Sequence, residues 1–232
     1  MKKPYIVCHM MTSIDGRIDC AMTAQLAGVE EYYAALEELD LPSTLSGRVT
    51  AQLEMSLPGV FKAQQNEPLG REGFSKKADA KGYEIITDTR GTLLWEEDTD
   101  ASKPHLIITS EEVSREYLNY LDERQISWIA CGKGKIDLKR AVEILAERFG
   151  VERLGIVGGP IINSAFLEAG LLDEISLLIG PGIDGRKGMP AVFDGFPMEK
   201  APVPLQLKEA KTYKNGAVWL RYLVQQGALC NL

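Results

Sequence analysis

The sequence RLGIVGGPIINSAFLEAGLLDEISLLIGP, residues 153–181, carries the clearest structural pattern in the chain. Its first apolar run is long enough for a buried strand, and Gly158-Gly159 follow that run directly. Pro160 then stands where a first helical residue would stand, and there its fixed φ and missing N–H cost nothing. An apolar stripe predicts a helix that ends at Gly170, before a second apolar run. The pattern strand–Gly-Gly–helix–strand therefore predicts a parallel crossover unit.

The Gly158-Gly159 pair allows two interpretations. A helix N-terminus leaves backbone N–H groups unpaired and carries a partial positive charge, so a phosphate can bind there when glycines let it approach. The alternative is a tight turn without a ligand. The chain contains neither GxGxxG nor GxxxxGK[ST], so the common dinucleotide fingerprint and the Walker loop give no support to phosphate binding. The pattern alone leaves both interpretations open.

The rest of the chain alternates apolar runs with amphipathic segments. Strands are expected at 5–11, 83–87, 105–109 and 126–131, a short strand within 91–95, and helices at 29–39, 111–124 and 138–149. This alternation predicts a mostly parallel sheet covered on both faces. Segments 205–213 and 218–224 flank Asn215-Gly216, which is the strongest short signal for an antiparallel hairpin. Residues 58–82 form a long polar loop, either a lid or a surface excursion. We find no repeat and no linker, and we expect a single domain over residues 1–232.

The composition excludes several classes of protein. The chain has 232 residues, of which 45% are hydrophobic, and a formal net charge of −7. An acidic chain argues against sequence-independent nucleic-acid binding but leaves room for a small anionic ligand in a local basic pocket. No apolar stretch reaches the roughly 20 residues of a membrane span, and no signal peptide is visible. The four cysteines and two histidines show no metal-ligand spacing, so we expect free thiols, no metal site and a cytoplasmic location.

Three stretches resemble the reductase (C-terminal) domain of the bifunctional riboflavin-biosynthesis deaminase/reductase, in the dihydrofolate-reductase-like superfamily. They are PYIVCHMMTSIDGRI at 4–18, YEIITDTRGTLLW at 83–95 and GIVGGPIINSAFLEAGLLDEISLLIGPGIDG at 155–185. The resemblance implies a three-layer α/β/α fold with a mostly parallel central sheet and a C-terminal antiparallel hairpin. It also implies an NADPH-dependent reductase that delivers a hydride to C1 of a ribosylaminopyrimidine phosphate and opens the ribose. No fused deaminase domain is visible. The implied substrate is 5-amino-6-(5-phosphoribosylamino)uracil or 2,5-diamino-6-ribosylamino-pyrimidinone phosphate.

The same resemblance assigns cofactor-binding residues. It places the nicotinamide at the turn Ile14–Gly16, the phosphates at Gly158, Gly159 and Pro160 and at Gly47, Arg48 and Thr50, and the adenosine end at Thr89 and Arg90. A glycine before a helix N-terminus, with an arginine and a hydroxyl, suits phosphate on physical grounds as well. For the segment at 47–50, the alternative is a surface helix with a solvated arginine. Asp88 keeps NADH open, because an acidic residue after a strand suits a free ribose 2′-hydroxyl.

The expected substrate site lies in two loops. Ser13 and Asp15 belong to an Asp-Gly turn, which has a structural explanation as well as a functional one. We expect Asp15 to face the substrate as the catalytic or orienting residue, and either Asp15 or water to supply the proton. Arg186 and Lys187 lie in a glycine-rich loop after a strand, where they would bind an anionic group of the substrate. A solvated loop is the alternative.

Two departures from the family pattern concern the substrate. Val157 stands where many riboflavin reductases have a glutamate, and residues 19–27, DCAMTAQLA, lack the segment that helps to bind the substrate phosphate. The alternatives are therefore a reductase of the same fold that acts on an unrelated ketone or a pterin, and a dinucleotide-binding protein without turnover. We also expect a homodimer that pairs through the apolar face of the hairpin, which includes Trp219, Leu223 and Val224.

Overall fold

The computed structural model describes residues 2–99 and 101–225. The strands of this part of the chain are β1 (Tyr5–Thr12), β2 (Ser43–Gly47), β3 (Gly73–Ser75), β4 (Glu84–Thr87), β5 (His105–Thr109), β6 (Ser127–Ala130), β7 (Arg153–Ile156), β8 (Glu174–Ile179), β9 (Leu205–Thr212) and β10 (Val218–Val224). Its helices are α1 (Cys20–Thr23), α2 (Val29–Glu38), α3 (Arg48–Glu54), α4 (Arg115–Glu123), α5 (Leu138–Arg148) and α6 (Pro160–Glu168). None of these helices has the length and apolar character needed to cross a membrane.

The first of two compact units contains residues 2–4 and 42–154 of the described chain. Its strands run in the order β3-β6-β5-β4-β2, with β2, β4, β5 and β6 parallel and β3 antiparallel to β6. Gly47 pairs in register with Thr87, and Thr109 with Ala130, so the strands end beside one another. Because connecting loops emerge from the carboxyl ends of parallel strands, this edge gathers the loops that follow β2, β4, β5 and β6.

One apolar cluster forms the core of the first unit. Its buried members come from the sheet, from α3 and α4, and from the loops after β4, β5 and α4: Ala51, Ile86, Leu93, Trp95, Ile107, Val113, Tyr117, Leu118, Leu121, Ile126 and Ala130. Burying one of the large aliphatic side chains of this cluster contributes about 1.5–3 kcal/mol relative to leaving it exposed. Two of the loop's residues, Leu93 and Trp95, belong to this cluster, so packing fixes the loop after β4.

The second unit contains residues 5–41 and 155–225 of the described chain. Its strand order is β7-β1-β8-β10-β9, with β7 contributing Gly155 and Ile156. Strands β1 and β8 are parallel, while β10 is antiparallel to both β8 and β9. The predicted hairpin is therefore confirmed as β9 and β10, joined through Asn215-Gly216. Its core cluster comprises Val7, Met11, Ala35, Leu39, Leu41, Leu178 and Trp219.

Most predicted elements are present, and two predictions are wrong. The helix expected over 111–124 begins at Arg115, because Ser114 caps it by accepting the Tyr117 N–H at 3.1 Å. The strand expected within 91–95 is absent from the described residues, where only an isolated bridge from Leu94 to Leu57 occurs. The sequence analysis also did not assign β2 or β3. The single-domain organisation stays a prediction.

The apolar face expected to join two copies is largely internal. Trp219 has 0% of its surface exposed and Val224 has 7%, because both pack inside the second unit. The prediction that these two residues form a dimer surface is therefore wrong. The outer strand β9 is exposed along most of its length and remains an unpaired sheet edge among the described residues.

Candidate functional site

The first unit presents one candidate phosphate-binding segment at the end of β2. Gly47 has extended backbone, and no side chain caps the N-terminus of α3 that follows it. Arg48 is exposed and donates from Nη1 to Gln52 Oε1 at 2.7 Å, while Thr50 lies in the first helical turn. The register of Gly47 with Thr87 brings this segment beside the loop after β4. The first unit thus brings together the predicted residues at 47–50 and 89–90.

Asp88 is occupied by its own loop. Its carboxylate is fully buried and accepts the N–H groups of Thr92 at 2.6 Å and Leu93 at 2.8 Å through Oδ2. Oδ1 accepts the Thr92 hydroxyl at 3.2 Å, and the Tyr117 hydroxyl lies 3.4 Å from Oδ2. A carboxylate held in this way is not available to a ribose hydroxyl. Asp88 therefore does not favour NADH.

Thr89 and Arg90 lie on the outer side of this loop. The Thr89 carbonyl accepts the Ser110 N–H at 3.2 Å and the Ser110 hydroxyl at 3.0 Å, so the loop after β5 fixes its backbone. Arg90 is exposed, and within the described residues no group forms a hydrogen bond or an ion pair with its guanidinium. A guanidinium on a fixed backbone without a protein partner suits a phosphate ligand.

The turn after β1 opens the candidate site of the second unit. The Gly16 N–H donates to the Ser13 carbonyl at 2.9 Å. Gly16 has φ +77°, a conformation that favours glycine, and open space surrounds the position where a Cβ would lie. The Ile14 side chain is 64% exposed at the tip of the turn. Because the Ile14 and Gly16 N–H groups donate within the protein, the turn offers backbone carbonyl groups and an apolar side chain to a ligand.

Asp15 fastens the loop after β8 to this turn. Oδ1 accepts the Ser13 hydroxyl at 2.7 Å and the Asp184 N–H at 3.0 Å, and Oδ2 accepts the Gly185 N–H at 3.0 Å. Donation by the Ser13 hydroxyl, followed by the two backbone N–H groups, lowers the pKa of Asp15 below its ordinary value. The carboxylate is therefore ionised at neutral pH, where it accepts hydrogen bonds and has no proton to give.

Arg186 already has two carboxylate partners. Its Nη2 lies 2.6 Å from Asp19 Oδ2 and 3.0 Å from Asp184 Oδ2, and its Nε donates to Asp184 Oδ1. Hydrogen bonds to Asp184 and then to Asp19 raise the pKa of Arg186. Lys187 is exposed and has no ion-pair partner within the described part of the chain. Of the two predicted anion ligands, Lys187 is therefore the one whose charge is available.

The Gly-Gly segment after β7 is the third component of the second unit. Gly158 has φ +122°, which only glycine adopts readily, and its peptide bond to Gly159 is cis. Gly159 precedes α6, Pro160 is the first helical residue, and no side chain caps this N-terminus. Within the described residues, the N-cap position therefore supplies no side-chain acceptor to the first N–H groups of α6, and this donor set fits a phosphate.

The order of the strands brings these three components together. Strands β7, β1 and β8 are neighbours, and Thr12 pairs in register with Ile179. The turn at 13–17 therefore lies between the segment 158–160 and the loop 182–187, and it is hydrogen-bonded to that loop by the Ile14 N–H and the Gly182 carbonyl at 2.8 Å. The second unit thus gathers the predicted nicotinamide, phosphate and substrate residues at one edge of its sheet.

Sequence reasoning missed the residues that hold the site in place. Ser110 fixes Thr89, while Asp184 and Asp19 occupy Arg186. Asp184-Gly185 repeats the Asp-Gly pair of the first turn, and this repeated turn signal was visible in the sequence. Two of these contacts, Arg186 with Asp19 and the Asp184 N–H with Asp15, join residues more than 160 positions apart, and no local pattern connects them.

A separate cavity of about 280 Å³ lies elsewhere in the second unit. Apolar side chains line most of it, including Leu167, Ile175, Phe193 and Phe196, and Lys200 is its charged member. None of the predicted site residues lines this cavity. It is therefore not part of the candidate site.

Comparison with known proteins identifies the family. The model of the RibD C-terminal domain matches residues 4–219, which is nearly the whole chain. The chain belongs to the RibD C-terminal domain family. The match includes the candidate segments of both units, from the turn after β1 to the loop after β8.

Curated relatives from this family are distant in sequence. The chain is 23% identical over 219 residues to the 2,5-diamino-6-ribosylamino-4(3H)-pyrimidinone 5′-phosphate reductase of Methanothermobacter thermautotrophicus, covering 92% of this chain and 94% of the relative. It is 24% identical over 199 residues to the riboflavin biosynthesis protein RibD of Chlamydia muridarum, covering 82% of this chain. The chain matches 50% of that longer protein.

A solved structure shares the fold of this RibD C-terminal domain. The pyrimidine reductase-like protein of Corynebacterium diphtheriae superposes with a TM-score of 0.67 at 18% identity, covering 96% of this chain and 92% of that protein. The expected dihydrofolate-reductase-like α/β fold, with its C-terminal antiparallel strands, is thereby confirmed.

Proposed function

We propose that this chain is an NADPH-dependent reductase that transfers a hydride to a ribosylaminopyrimidine phosphate. The observation that carries the proposal is the match of residues 4–219 to the RibD C-terminal domain. A relative named as the reductase of 2,5-diamino-6-ribosylamino-4(3H)-pyrimidinone 5′-phosphate is covered over 94% of its length, which supports the same substrate class here.

Each unit, taken by itself, offers groups that suit a dinucleotide. In the first unit, Gly47, Arg48 and Thr50 offer an uncapped helix start, a guanidinium and a hydroxyl to a phosphate. In the second unit, the uncapped start of α6 at Gly158–Pro160 offers further N–H donors, and the turn Ile14–Gly16 offers backbone groups to a carboxamide. Bound NADPH supplies the hydride, and the protein's part is to bind and to orient.

The preference for NADPH over NADH rests on two neighbouring residues. Asp88 is consumed by hydrogen bonds to its own loop, so it does not select a free 2′-hydroxyl. Arg90 is exposed on that loop and has a guanidinium without a protein partner among the described residues. We therefore assign the 2′-phosphate to Arg90, with Thr89 beside it.

The substrate groups are assigned within the second unit. Lys187 is exposed and supplies the positive charge for the substrate phosphate, while Arg186 holds the loop by pairing with Asp19 and Asp184. Ser13 and Asp15 position the loop and the turn that face the substrate. Because Asp15 is ionised at neutral pH, we assign the proton that completes the reduction to water.

Val157 favours a second candidate within the same chemistry. It follows β7 directly and is partly exposed, and an apolar side chain cannot hydrogen-bond a pyrimidine. The second candidate is therefore a reductase of the same fold whose ketone or imine substrate lacks the pyrimidine.

An assembly and a location complete the proposal. The edge strand β9 is exposed, and Leu207 on it keeps 56% of its surface accessible. Exposed sheet edges are usually covered, so we infer a homodimer that pairs through β9. We also infer a cytoplasmic location, because the cysteine pattern of the sequence indicates free thiols. Sedimentation at micromolar concentration tests the assembly, and a monomer would contradict it.

The decisive experiment measures cofactor binding first and turnover second. Thermal unfolding of the chain is recorded alone, with NADPH and with NADH, since a ligand at 100 times its Kd stabilises the folded state by about 2.7 kcal/mol. Loss of the reduced-nicotinamide absorbance is then followed with each of the two ribosylaminopyrimidine phosphates. A rise in Tm that NADPH gives and NADH does not, followed by oxidation of NADPH, supports the proposal. Binding with turnover only on other ketones supports the second candidate, and binding without any turnover supports a dinucleotide-binding protein.

A further inference from the structure

One irregular segment of the second unit connects two components of the candidate site. Residues 189–195, MPAVFDG, form no strand or helix beyond a single bridge residue, and we call them the strap. One end of the strap lies on the turn after β1, and the other end lies on the first turns of α6. Phe193 of the strap also lines the apolar cavity of this unit, so the strap is packed as well as hydrogen-bonded.

Arg17 and Ile18 hold the first end. The Arg17 guanidinium donates from Nη1 to the Met189 carbonyl, and Arg17 forms an antiparallel bridge with Ala191. The Ile18 N–H donates to the Pro190 carbonyl at 3.3 Å. Since Arg17 N–H also donates to the Ser13 hydroxyl at 3.1 Å, the strap is attached directly to the turn that contains Ile14–Gly16.

Asn163 and Ser164 hold the second end. Asn163 Nδ2 donates to the Val192 carbonyl at 2.8 Å, and Ser164 Oγ accepts the Asp194 N–H at 2.8 Å. Both residues lie in α6 within five positions of the Gly158-Gly159 pair. The Asn163 N–H donates to the Gly159 carbonyl at 3.1 Å. The residue whose side chain holds the strap is therefore bonded through its backbone to the Gly-Gly segment.

The Asn163 side chain is costly for a purely packing role. It has 0% of its surface exposed, and its Oδ1 has no hydrogen-bond partner among the described residues. A buried acceptor without a partner destabilises the fold, and a leucine of similar size would avoid that cost. Buried polar groups without a partner are concentrated at functional sites. We therefore attribute the presence of Asn163 to the hydrogen bond that its Nδ2 donates to the strap.

We propose that Asn163 and Arg17 are positioning residues that act through the strap to set the spacing between the turn Ile14–Gly16 and the helix start Gly158–Pro160. The inference rests on the proposed function, in which these two elements bind the nicotinamide and phosphate ends of one dinucleotide. The two glycines leave the start of α6 without a side-chain cap, and the strap restrains it from the side. A small displacement of either element weakens the binding of a nucleotide that contacts both.

The test is a double-mutant cycle on cofactor binding. Kd for NADPH is measured without substrate, by titration of nucleotide fluorescence, for Asn163→Leu, Arg17→Gln and the double variant. Each single change is expected to raise Kd roughly tenfold or more, because each one removes a side-chain hydrogen bond that holds one end of the strap and so loosens that end. The double variant is expected to raise Kd little further, because a strap that is loose at one end no longer transmits the restraint at its other end.

A matched control separates positioning from loss of stability. Ser114→Ala removes the N-cap of α4 in the first unit and touches neither the strap nor the candidate site. It is expected to lower Tm and to leave the Kd for NADPH within about twofold of the unmodified chain, whereas Asn163→Leu raises Kd with a smaller change in Tm. Hydrogen exchange on the protein without nucleotide adds an independent readout, in which Asn163→Leu is expected to accelerate exchange at Ile18.

Three outcomes would overturn the inference. It fails if Asn163→Leu binds NADPH as tightly as the unmodified chain, or if the two single effects on log Kd add in full. If the unmodified chain binds neither NADPH nor NADH, the proposed function fails and the inference falls with it.

Discussion

The backbone N–H of Gly185 donates to Asp15 Oδ2 at 3.0 Å, so a carboxylate in the first turn of the second unit holds a loop that follows 170 residues later. The Asp184 N–H and the Ser13 hydroxyl share the other oxygen of the same carboxylate. Three donors on one anion favour the ionised form, which is why the pKa of Asp15 lies below its ordinary value. Asp15, which the sequence favours as the catalytic residue, is therefore a hydrogen-bond acceptor that three donors hold in place.

Replacing Asp15 by Asn should disturb binding more than chemistry. The substitution leaves one acceptor oxygen and turns the other position into a donor that faces the Gly185 N–H. We expect KM for the substrate to rise and kcat to fall less than roughly tenfold. The pH profile of kcat should keep its shape above about pH 5, since the Asp15 carboxyl is already ionised there.

Steady-state kinetics across that pH range measure both quantities. Asp79→Asn is the control, because the Asp79 side chain is 92% exposed and lies in the first unit. A fall in kcat of about 100-fold to 10,000-fold, with loss of one limb of the pH profile, would establish Asp15 as the proton donor.

Replacing Arg90 by Gln should change cofactor selectivity. A charge-assisted hydrogen bond contributes about 1.5–3 kcal/mol, so loss of the guanidinium should weaken NADPH roughly 10- to 150-fold. NADH lacks the 2′-phosphate, and its Kd should stay within about threefold. Equilibrium titration with both nucleotides measures the ratio.

Arg71→Gln is the control for overall charge. Arg71 is exposed in the loop after α3 and lies outside the predicted site, so this variant should bind both nucleotides as the unmodified chain does. Equal weakening of NADPH and NADH by Arg90→Gln would place the guanidinium elsewhere than at the 2′-phosphate.

Replacing Asp88 by Asn should lower the free energy of unfolding. Any change in Kd should be the same for NADPH and for NADH. The buried carboxylate accepts two backbone N–H groups and a hydroxyl, and an amide can satisfy only part of this set. Leaving buried donors unpaired costs about 1–3 kcal/mol of unfolding free energy. Urea unfolding measures the loss, and selective weakening of NADH would instead show that Asp88 reaches a ribose.

The sequence was most informative where the determinants are local. Strand β5 has the predicted bounds, and the helix predicted at 138–149 begins after Asp137, whose side chain caps it by accepting the Arg140 N–H at 3.1 Å. The hairpin β9–β10 follows from Asn215-Gly216. In each case a period or a cap within a few residues is sufficient to select the conformation.

The errors came from competition between equivalent signals. Thr109 and Ser114 are both residue types that cap helices, and only the fold shows that Thr109 ends a buried strand while Ser114 accepts the Tyr117 N–H. Trp219 was predicted to lie on a dimer surface because the alternation of apolar and polar residues along a strand does not show which face of the sheet a helix covers. In the structure that face belongs to the core with Val7, Ala35 and Leu178.

The charge partners in the site could not be read from the sequence at all. Arg186 and Lys187 are adjacent and chemically alike, yet Arg186 pairs with Asp184 and Asp19, while no carboxylate of residues 2–99 and 101–225 pairs with Lys187. Sequence position therefore located the anion-binding loop and could not distinguish the structural cation from the available one. The role of Asp88 could not be predicted from the sequence either, because it depends on how the next five residues fold back and donate hydrogen bonds to its carboxylate.

His9 should make the stability of the fold depend on pH. It is fully buried, its Nε2 donates to the Tyr32 carbonyl at 3.0 Å, and its Nδ1 therefore accepts the Ser176 hydroxyl at 2.9 Å. Trp219 Nε1 donates to that same hydroxyl at 2.7 Å, which completes a neutral chain of hydrogen bonds. Burial lowers the pKa of His9 from 6.5 to about 4.

The sign follows from the proton balance. Between the unfolded pKa of 6.5 and the folded pKa of about 4, the unfolded chain binds a proton that the folded chain does not. The contribution of neutral His9 is therefore complete above the unfolded pKa and is lost as the pH falls toward the folded one. Lowering the pH from about 7 to about 5 should cost about 2 kcal/mol of unfolding free energy through this residue alone.

Urea unfolding at several pH values, compared between the unmodified chain and His9→Gln, isolates this contribution. Glutamine retains a donor toward the Tyr32 carbonyl and has no proton to gain, so the slope of stability against pH should flatten by that amount, whatever the variant's absolute stability. His105→Gln, a change at the partly exposed histidine beside Asp98, serves as the control for removing an imidazole. Parallel slopes for the unmodified chain and His9→Gln would mean that the buried imidazole carries its charge in the folded state.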